Sequence, residues 1–229
     1  GGLIYTLYDL GMKVGYSVRN IQDAVNVAND DMQTKTSLIE SRLISGDAEL
    51  FEQFQKRVEV KCVRSHIDDY LQMRITDQDA RRVKFGNSTL LQAPNIKNGC
   101  GGLRDYQNLL WMTHFKYGAR TLAELEAQEM IRPNNRAQLE EGYGFLLRVR
   151  NELHYQTKRP SDDLHKALQP KVAWQLGYKD RSPARRLEAF MRDLYMHMRR
   201  IHLITRMVER RLALRPKPSR RIPSLRSLF

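Results

Sequence analysis

The chain has 229 residues, a length that allows one or two domains. Its apolar fraction of 41% is enough for a real core, and no apolar run reaches the roughly 18 residues of a membrane-spanning helix. The net charge is +13, and Arg181–Phe229 alone holds 14 Arg/Lys against 3 Asp/Glu, so residues 1–180 carry only about +2. Such a localised positive field attracts nucleotides, nucleic acid or acidic protein surfaces. A solvated helix face followed by a basic linker accounts for the same charge. Cys62 and Cys100 lie 38 positions apart with no CxxC pair, which fits reduced thiols rather than a disulfide framework or a zinc site. No basic-then-apolar leader is visible at residue 1, and the reduced thiols make a cytoplasmic location the expectation.

In chain order, Leu3, Ile4, Leu7 and Leu10 recur at helical spacing, and Gly11 is a natural stop. Met12, Val14, Tyr16 and Val18 then alternate with Lys13, Gly15, Ser17 and Arg19, which is a strand pattern with one buried face. A lone strand needs neighbours for its backbone groups, so this segment is expected to pair with a sheet upstream of Gly1. Asn20 is placed to cap a helix. Leu38, Ile39, Leu43 and Ile44 mark another that ends near Gly46, and Asp47 caps the next. Residues 61–85 read as a polar helix, with Asp77 and Asp79 taken as lying at a helix N-terminus. Residues 86–102 read as a long loop, a feature that is usually functional when ordered.

After Arg104 every periodic segment is helical. Thr121 to Glu124 form a capping box, and Pro133 suits the first turn of a helix through Leu153. Gly142 and Gly144 weaken that helix unless close packing or a bend needs them. Ser161 is placed to cap a short helix, and Pro170 opens one ending at Gly177. Asp30-Asp31, Asp68-Asp69 and Asp162-Asp163 are expected at caps and on the surface. Leu187, Phe190, Leu194, Met198, Ile201, Thr205, Val208 and Leu212 form one apolar stripe, read as bundle core. The tail, with three prolines and five basic residues from Arg215 on, reads as a disordered linker.

The densest signal is Asn95-Ile96-Lys97-Asn98-Gly99-Cys100-Gly101-Gly102-Leu103-Arg104-Asp105. Three glycines within four positions, opening a helix, can expose N–H donors and the positive helix end to an anion such as phosphate. The same cluster can equally be a tight turn between helices. The wider run from Gln92 to Asp105, with Leu109-Leu110-Trp111 after it, resembles the central signature of the bacterial PII-protein uridylyltransferases. Tyr8 to Arg19 is similar to that family's segment ending in Val-Gly-His-Ser-Val-Arg. Ser37 to Asp47 and Leu147 to His154 match two further motifs, and the four occur in the family's order. Tyr16 stands where the family has His, and Cys100 replaces a small residue without a thiol.

The resemblance implies a mainly α fold: a helical bundle preceded by the tail end (helix, strand, helices) of an α/β nucleotidyltransferase domain. The implied division is 1–60 for that remnant and 61–213 for the helical domain, with its glycine loop at 94–105. Residues 214–229 would be the basic tail. The implied activity is transfer of UMP from UTP to a tyrosine of the PII nitrogen-regulatory protein, with Mg²⁺ held by an Asp-x-Asp pair on an upstream segment. The chain would thus be an internal segment, lining the nucleotide and acceptor cleft and silent alone. Candidate nucleotide- or substrate-binding residues are Asn95, Lys97, Gly101, Gly102, Arg104, Asp105, Arg148, Arg150, His154, Ser17 and Arg19. Lys gives phosphate a mobile point charge and Arg a planar fork. Arg104 can also pair locally with Asp105, and Asn95 can simply close a turn. Arg150 and His154, four apart, share one helix face. The rival reading is a non-catalytic basic helical module or scaffold that docks nucleic acid or an acidic protein.

Overall fold

A computed structural model describes residues 2–214. The chain divides into two compact units, Gly1–Ile67 and Asp68–Phe229. Among the described residues there are ten α-helices, one π-helical turn and no strand. None of the helices is long and apolar enough to cross a membrane.

The first unit holds α1 (Gly2–Asp9), α2 (Ile21–Asp30), α3 (Met32–Ile39), α4 (Ala48–Val58) and a π-helical turn, Glu59–Val63. The Asn20 side chain accepts from the Asp23 N–H at 2.8 Å, and Asp47 accepts from Glu49 and Leu50, so both expected caps form. Asp31 leaves helical geometry and caps α3, which separates it from α2. Val25, Ala28, Val58 and Cys62 make a small core, with Leu38, Ile39 and Phe54 packed around it.

Two expectations fail in this unit. Met12–Arg19 is irregular chain, and Val18 is 95% exposed. Alternation yields a strand only where a partner takes the ladder hydrogen bonds, and no partner strand exists among the described residues. The helix expected to reach Gly46 stops at Ile39. There the Ser41 Oγ donates to the Leu38 carbonyl at 2.6 Å, which leaves Leu43 and Ile44 exposed.

The second unit holds α5 (Ile67–Phe85), α6 (Leu103–Tyr117), α7 (Leu122–Ala127), α8 (Pro133–Thr157), α9 (Gln169–Gln175) and α10 (Pro183–Leu214). At 32 residues α10 spans about 48 Å, and it packs along α8, α6 and α9. Its stripe from Phe190 through Leu194, Met198, Ile201, Thr205 and Val208 to Leu212 is buried, as a core stripe should be. Gly142 permits a close approach of α8 to α10: a Cβ there would sit 3.2 Å from the Ile201 side chain. Gly144 has no such neighbour.

The long loop between α5 and α6 is present. Asp77 and Asp79 lie inside α5 rather than at its start, because the apolar positions that mark the true start, Ile67 and Tyr70, lie a turn or more earlier. Ser161 caps no helix, because residues 161–164 instead run beside the loop and pair with it. The proposed tail from Arg215 lies outside the described residues.

Candidate functional site

The glycine loop is held from both sides. On one side the Ile96 N–H donates to the Asp162 carbonyl at 2.8 Å, and the Leu164 N–H donates to the Pro94 carbonyl at 3.0 Å. Asn95 fastens this bridge: its amide nitrogen donates to Asp163 Oδ1 at 2.7 Å, and its Oδ1 accepts from the Lys97 and Asn98 N–H groups. Asn95 is therefore a buried clasp that closes the turn. On the other side the loop presses on α10. A Cβ at Gly101, where φ is +74°, would lie 2.0 Å from the Met198 carbonyl oxygen. At Gly102 it would meet the Ile96 carbonyl oxygen at 2.7 Å.

The amides of this loop do not point at a ligand. Those of Gly99, Gly102, Leu103, Arg104 and Asp105 donate to carbonyls within the loop, and that of Gly101 donates to Asp105 Oδ2 at 2.8 Å. The anion-cradle reading of Gly101 and Gly102 fails for these donors. The glycines are needed for close packing, and the helix start carries its own anion.

That anion, Asp105, is the centre of a buried polar cluster. Gln78 Nε2 lies 3.4 Å from its Oδ1, both Arg81 terminal nitrogens lie at 3.5 Å, and Arg82 Nη2 lies 3.9 Å from Oδ2. Its ion-pair partners thus come from α5. Gln78 also donates to Glu209 on α10 at 2.9 Å, and Glu209 pairs with Arg206 at 3.4 Å. Burial pushes the Glu209 carboxyl up, against the pull of Gln78 and Arg82. Cys100 Sγ lies 3.2 Å from His202 Nδ1. Burial, reinforced by the Asp105 charge, pushes the Cys100 thiol up to about 11, and burial together with Arg82 holds His202 below its ordinary value. Neutral thiol beside neutral imidazole is the favoured state, so this pair is no activated nucleophile.

The α5 residues escaped the sequence reading, although a signal was present. Tyr70, Arg74, Gln78 and Arg82 are spaced by four and all are buried. Arg74 Cζ sits 4.3 Å from the Trp111 ring centroid, and Tyr70 stacks on Phe115 at 3.6 Å. A four-residue period of long polar side chains marks a helix whose inner face is polar. Asp162 and Asp163 were misplaced on the surface. Arg150 Nε donates to Asp162 Oδ1 at 2.6 Å, with His154 Nε2 at 3.5 Å from the same oxygen. The bridge to Asn95 brings this group against the glycine loop.

Arg148 is exposed and faces a cavity of about 240 Å³ with Tyr178, Asp193 and His197. Arg104 extends over the Trp111 ring at 5.2 Å, and Lys97 is half-buried beside it, its carbonyl accepting the Arg104 N–H. Ser17 and Arg19 are exposed residues of the first unit.

The family described as GlnD PII-uridylyltransferase matches residues 69–209. The chain belongs to this family. The matched span runs from the first turn of α5 to Glu209, and so takes in the whole Asp105 cluster. A bifunctional uridylyltransferase/uridylyl-removing enzyme of Rhodospirillum rubrum is 32% identical over 204 residues, 89% of this chain. One of the same name from Caulobacter vibrioides is 31% identical over the same length. The chain spans about 22% of the length of each relative.

A magnesium ion takes hard oxygen ligands in octahedral geometry. Among the described residues, the one group whose donors could meet at a cation is Cys100, Asp105 and His202. One oxygen with a sulfur and an imidazole suits a softer ion, so these residues do not fit Mg²⁺.

Proposed function

We propose that this chain is a segment of an enzyme that transfers UMP from UTP to the PII protein, and that its helical unit lines the nucleotide and acceptor cleft. Family membership across residues 69–209 carries this reading. Two bacterial relatives, both bifunctional uridylyltransferase/uridylyl-removing enzymes, support it. In this reading the Mg²⁺ carboxylates belong to the rest of the enzyme, since the described residues offer no matching oxygen set. What this chain contributes is position and charge. The Asn95 clasp and the Gly101 contact with α10 hold Lys97 and Arg104 in a set place, with Arg104 over the Trp111 ring. The Lys97 ammonium has no partner among the described residues, which leaves it available to a phosphate. Arg150, hydrogen-bonded to Asp162, and His154 beside the same carboxylate form the second wall.

Mixing the 229-residue chain with UTP, Mg²⁺ and PII is expected to yield no uridylylated PII; measurable transfer would end the claim of inactivity. In the full-length enzyme, Lys97→Ala is expected to lower kcat/KM at least about tenfold, or about 1.4 kcal/mol of transition-state stabilisation, without shifting the unfolding midpoint. Unchanged kcat/KM would remove Lys97 from the cleft.

The charge of Arg181–Phe229 supports a second reading, a basic binding module without transfer chemistry. Its signature is nucleic-acid affinity that falls steeply with salt.

A further inference from the structure

The cavity of about 240 Å³ in the second unit opens where α8, α10 and the chain just after α9 meet. Phe145 and Arg148 are three apart on α8, and Asp193 and His197 are four apart on α10, so each pair shares one helix face. Gly177, with φ +93°, follows α9 and turns the chain so that the Tyr178 ring packs edge-on against Phe190 at 5.5 Å. The Tyr178 hydroxyl donates to Asp193 Oδ2 at 2.8 Å. Burial, and then that hydrogen bond, push the hydroxyl above its ordinary value, so it stays protonated. Asp193 Oδ1 has Arg192 Nε at 3.2 Å, on a side chain that is 73% exposed and neutralises little. Arg148 has no hydrogen-bond or ion-pair partner among the described residues, and its guanidinium carbon lies 5.9 Å from the Phe145 ring centroid. One cavity thus carries a cation and an anion that do not pair with each other. His197 is buried and stacks on Phe145 at 4.6 Å, and burial holds it below its ordinary value, so it adds a neutral wall.

We infer that this cavity binds a small zwitterion with a short apolar body, the class of a free aliphatic amino acid, with its carboxylate on Arg148 and its ammonium on Asp193 and the Tyr178 oxygen. The charge pattern selects the class. A simple anion is attracted by Arg148 and repelled by Asp193, and a simple cation meets the reverse, so each loses most of its gain. A ligand that carries both charges, set apart, takes up both. Its carboxylate suits the planar fork of a guanidinium. The Tyr178 oxygen donates to Asp193 and still has lone pairs to accept an ammonium proton. Volume sets the size of the body. At about 30 Å³ per water-sized group the cavity holds about eight heavy atoms, far fewer than a nucleotide has. Phe145, Leu176 and the neutral His197 ring offer the body apolar contact. The inference goes beyond uridylyl transfer and needs only equilibrium binding by the helical unit, so either can fail without the other.

The test is an NMR titration of the full 229-residue chain at neutral pH, following the ring signals of Tyr178 and His197. Four probes are used: L-valine; L-threonine, its hydroxyl-bearing isostere; 3-methylbutanoate, which lacks the ammonium; and 2-methylpropylamine, which lacks the carboxylate. Saturable binding of valine is expected, at least about tenfold tighter than the carboxylate or the amine alone and at least about threefold tighter than threonine. Arg148→Gln is expected to weaken valine at least about tenfold, while the amine binds no more weakly than before. Asp193→Asn is expected to weaken valine at least about fivefold, while 3-methylbutanoate binds no more weakly. Arg199→Gln, an equal charge change on an exposed turn of α10, is expected to leave valine affinity within about twofold, with helical circular dichroism retained in all three variants. The inference is overturned by the absence of a saturable shift, by a carboxylate or amine that binds as tightly as valine, by threonine binding at least as tightly as valine, or by equal losses in Arg148→Gln and Arg199→Gln.

Discussion

Gly101 and Gly144 show how differently one residue type can act. The first has a left-handed backbone and a Cβ position 2.0 Å from a backbone oxygen; the second sits in α8 with open space around it. Gly101→Ala is expected to cost about 3 kcal/mol or more, from backbone strain together with displacement of α10. Gly144→Ala is expected to stabilise by about 0.5–1 kcal/mol through helix propensity. Urea midpoints of the two variants should move in opposite directions, and a shared direction would refute the packing role of Gly101. Cys100 sets a pH dependence. Its thiol is held at about 11 in the fold against an ordinary 9.0, so the fold prefers the neutral form. The stabilisation is complete below about pH 9 and is lost as pH rises towards 11, where the unfolded chain ionises first; at most about 3 kcal/mol is at stake. Denaturation at pH 8 and pH 10.5 should show a smaller loss for Cys100→Ala than for the unaltered chain.

At the scale of elements, the loop between α5 and α6 is ordered by one amide and one close approach. Asn95 offers two donors and an acceptor site, and the structure uses both functions of its side chain. Asn95→Ala is expected to cost about 1–3 kcal/mol, because the Lys97 and Asn98 amides lose their acceptor. Cleavage by a protease of low specificity should then move into residues 86–98, and an unchanged digestion pattern would mean that the clasp is dispensable. The α5 helix depends on a polar inner face. Arg74 stacks on Trp111, and its Nε donates to the Tyr70 hydroxyl at 3.0 Å. Long polar side chains reach across α5 to bond and stack where a shorter apolar residue would leave buried donors unmet.

For the molecule as a whole, burial is uneven. The core of Asp68–Phe229 runs from Ile96 to Leu212, whereas that of Gly1–Ile67 centres on Val25, Ala28, Val58 and Cys62. A chain cut to residues 68–229 is expected to unfold in one cooperative transition with strong helical circular dichroism, because α6, α8 and α10 complete their own core. Leu194→Ala within it should lower stability by about 2–5 kcal/mol, as for a fully buried leucine. A broad, non-cooperative melt would show that this core is insufficient by itself.

Sequence alone settled the features that act over a few positions. Asn20, Asp47 and Thr121 cap their helices because each side chain reaches an amide two or three residues on. The α10 stripe follows from a period of about 3.6, and the motif run from Gln92 to Asp105 already marked the family. Tertiary structure decided the rest, because spacing does not say which surface an element meets. Met12–Arg19 alternates like a strand yet finds no ladder. The glycines of 99–102 look like an anion cradle yet receive Asp105 and the backbone of α10. Asp162, read as a surface residue, becomes the partner of Arg150 and His154 through a bridge formed with residues far away in the chain. A buried charge is defined by what closes over it, and for Arg82 that enclosure comes from α6 and α10, which no local pattern around Arg82 encodes.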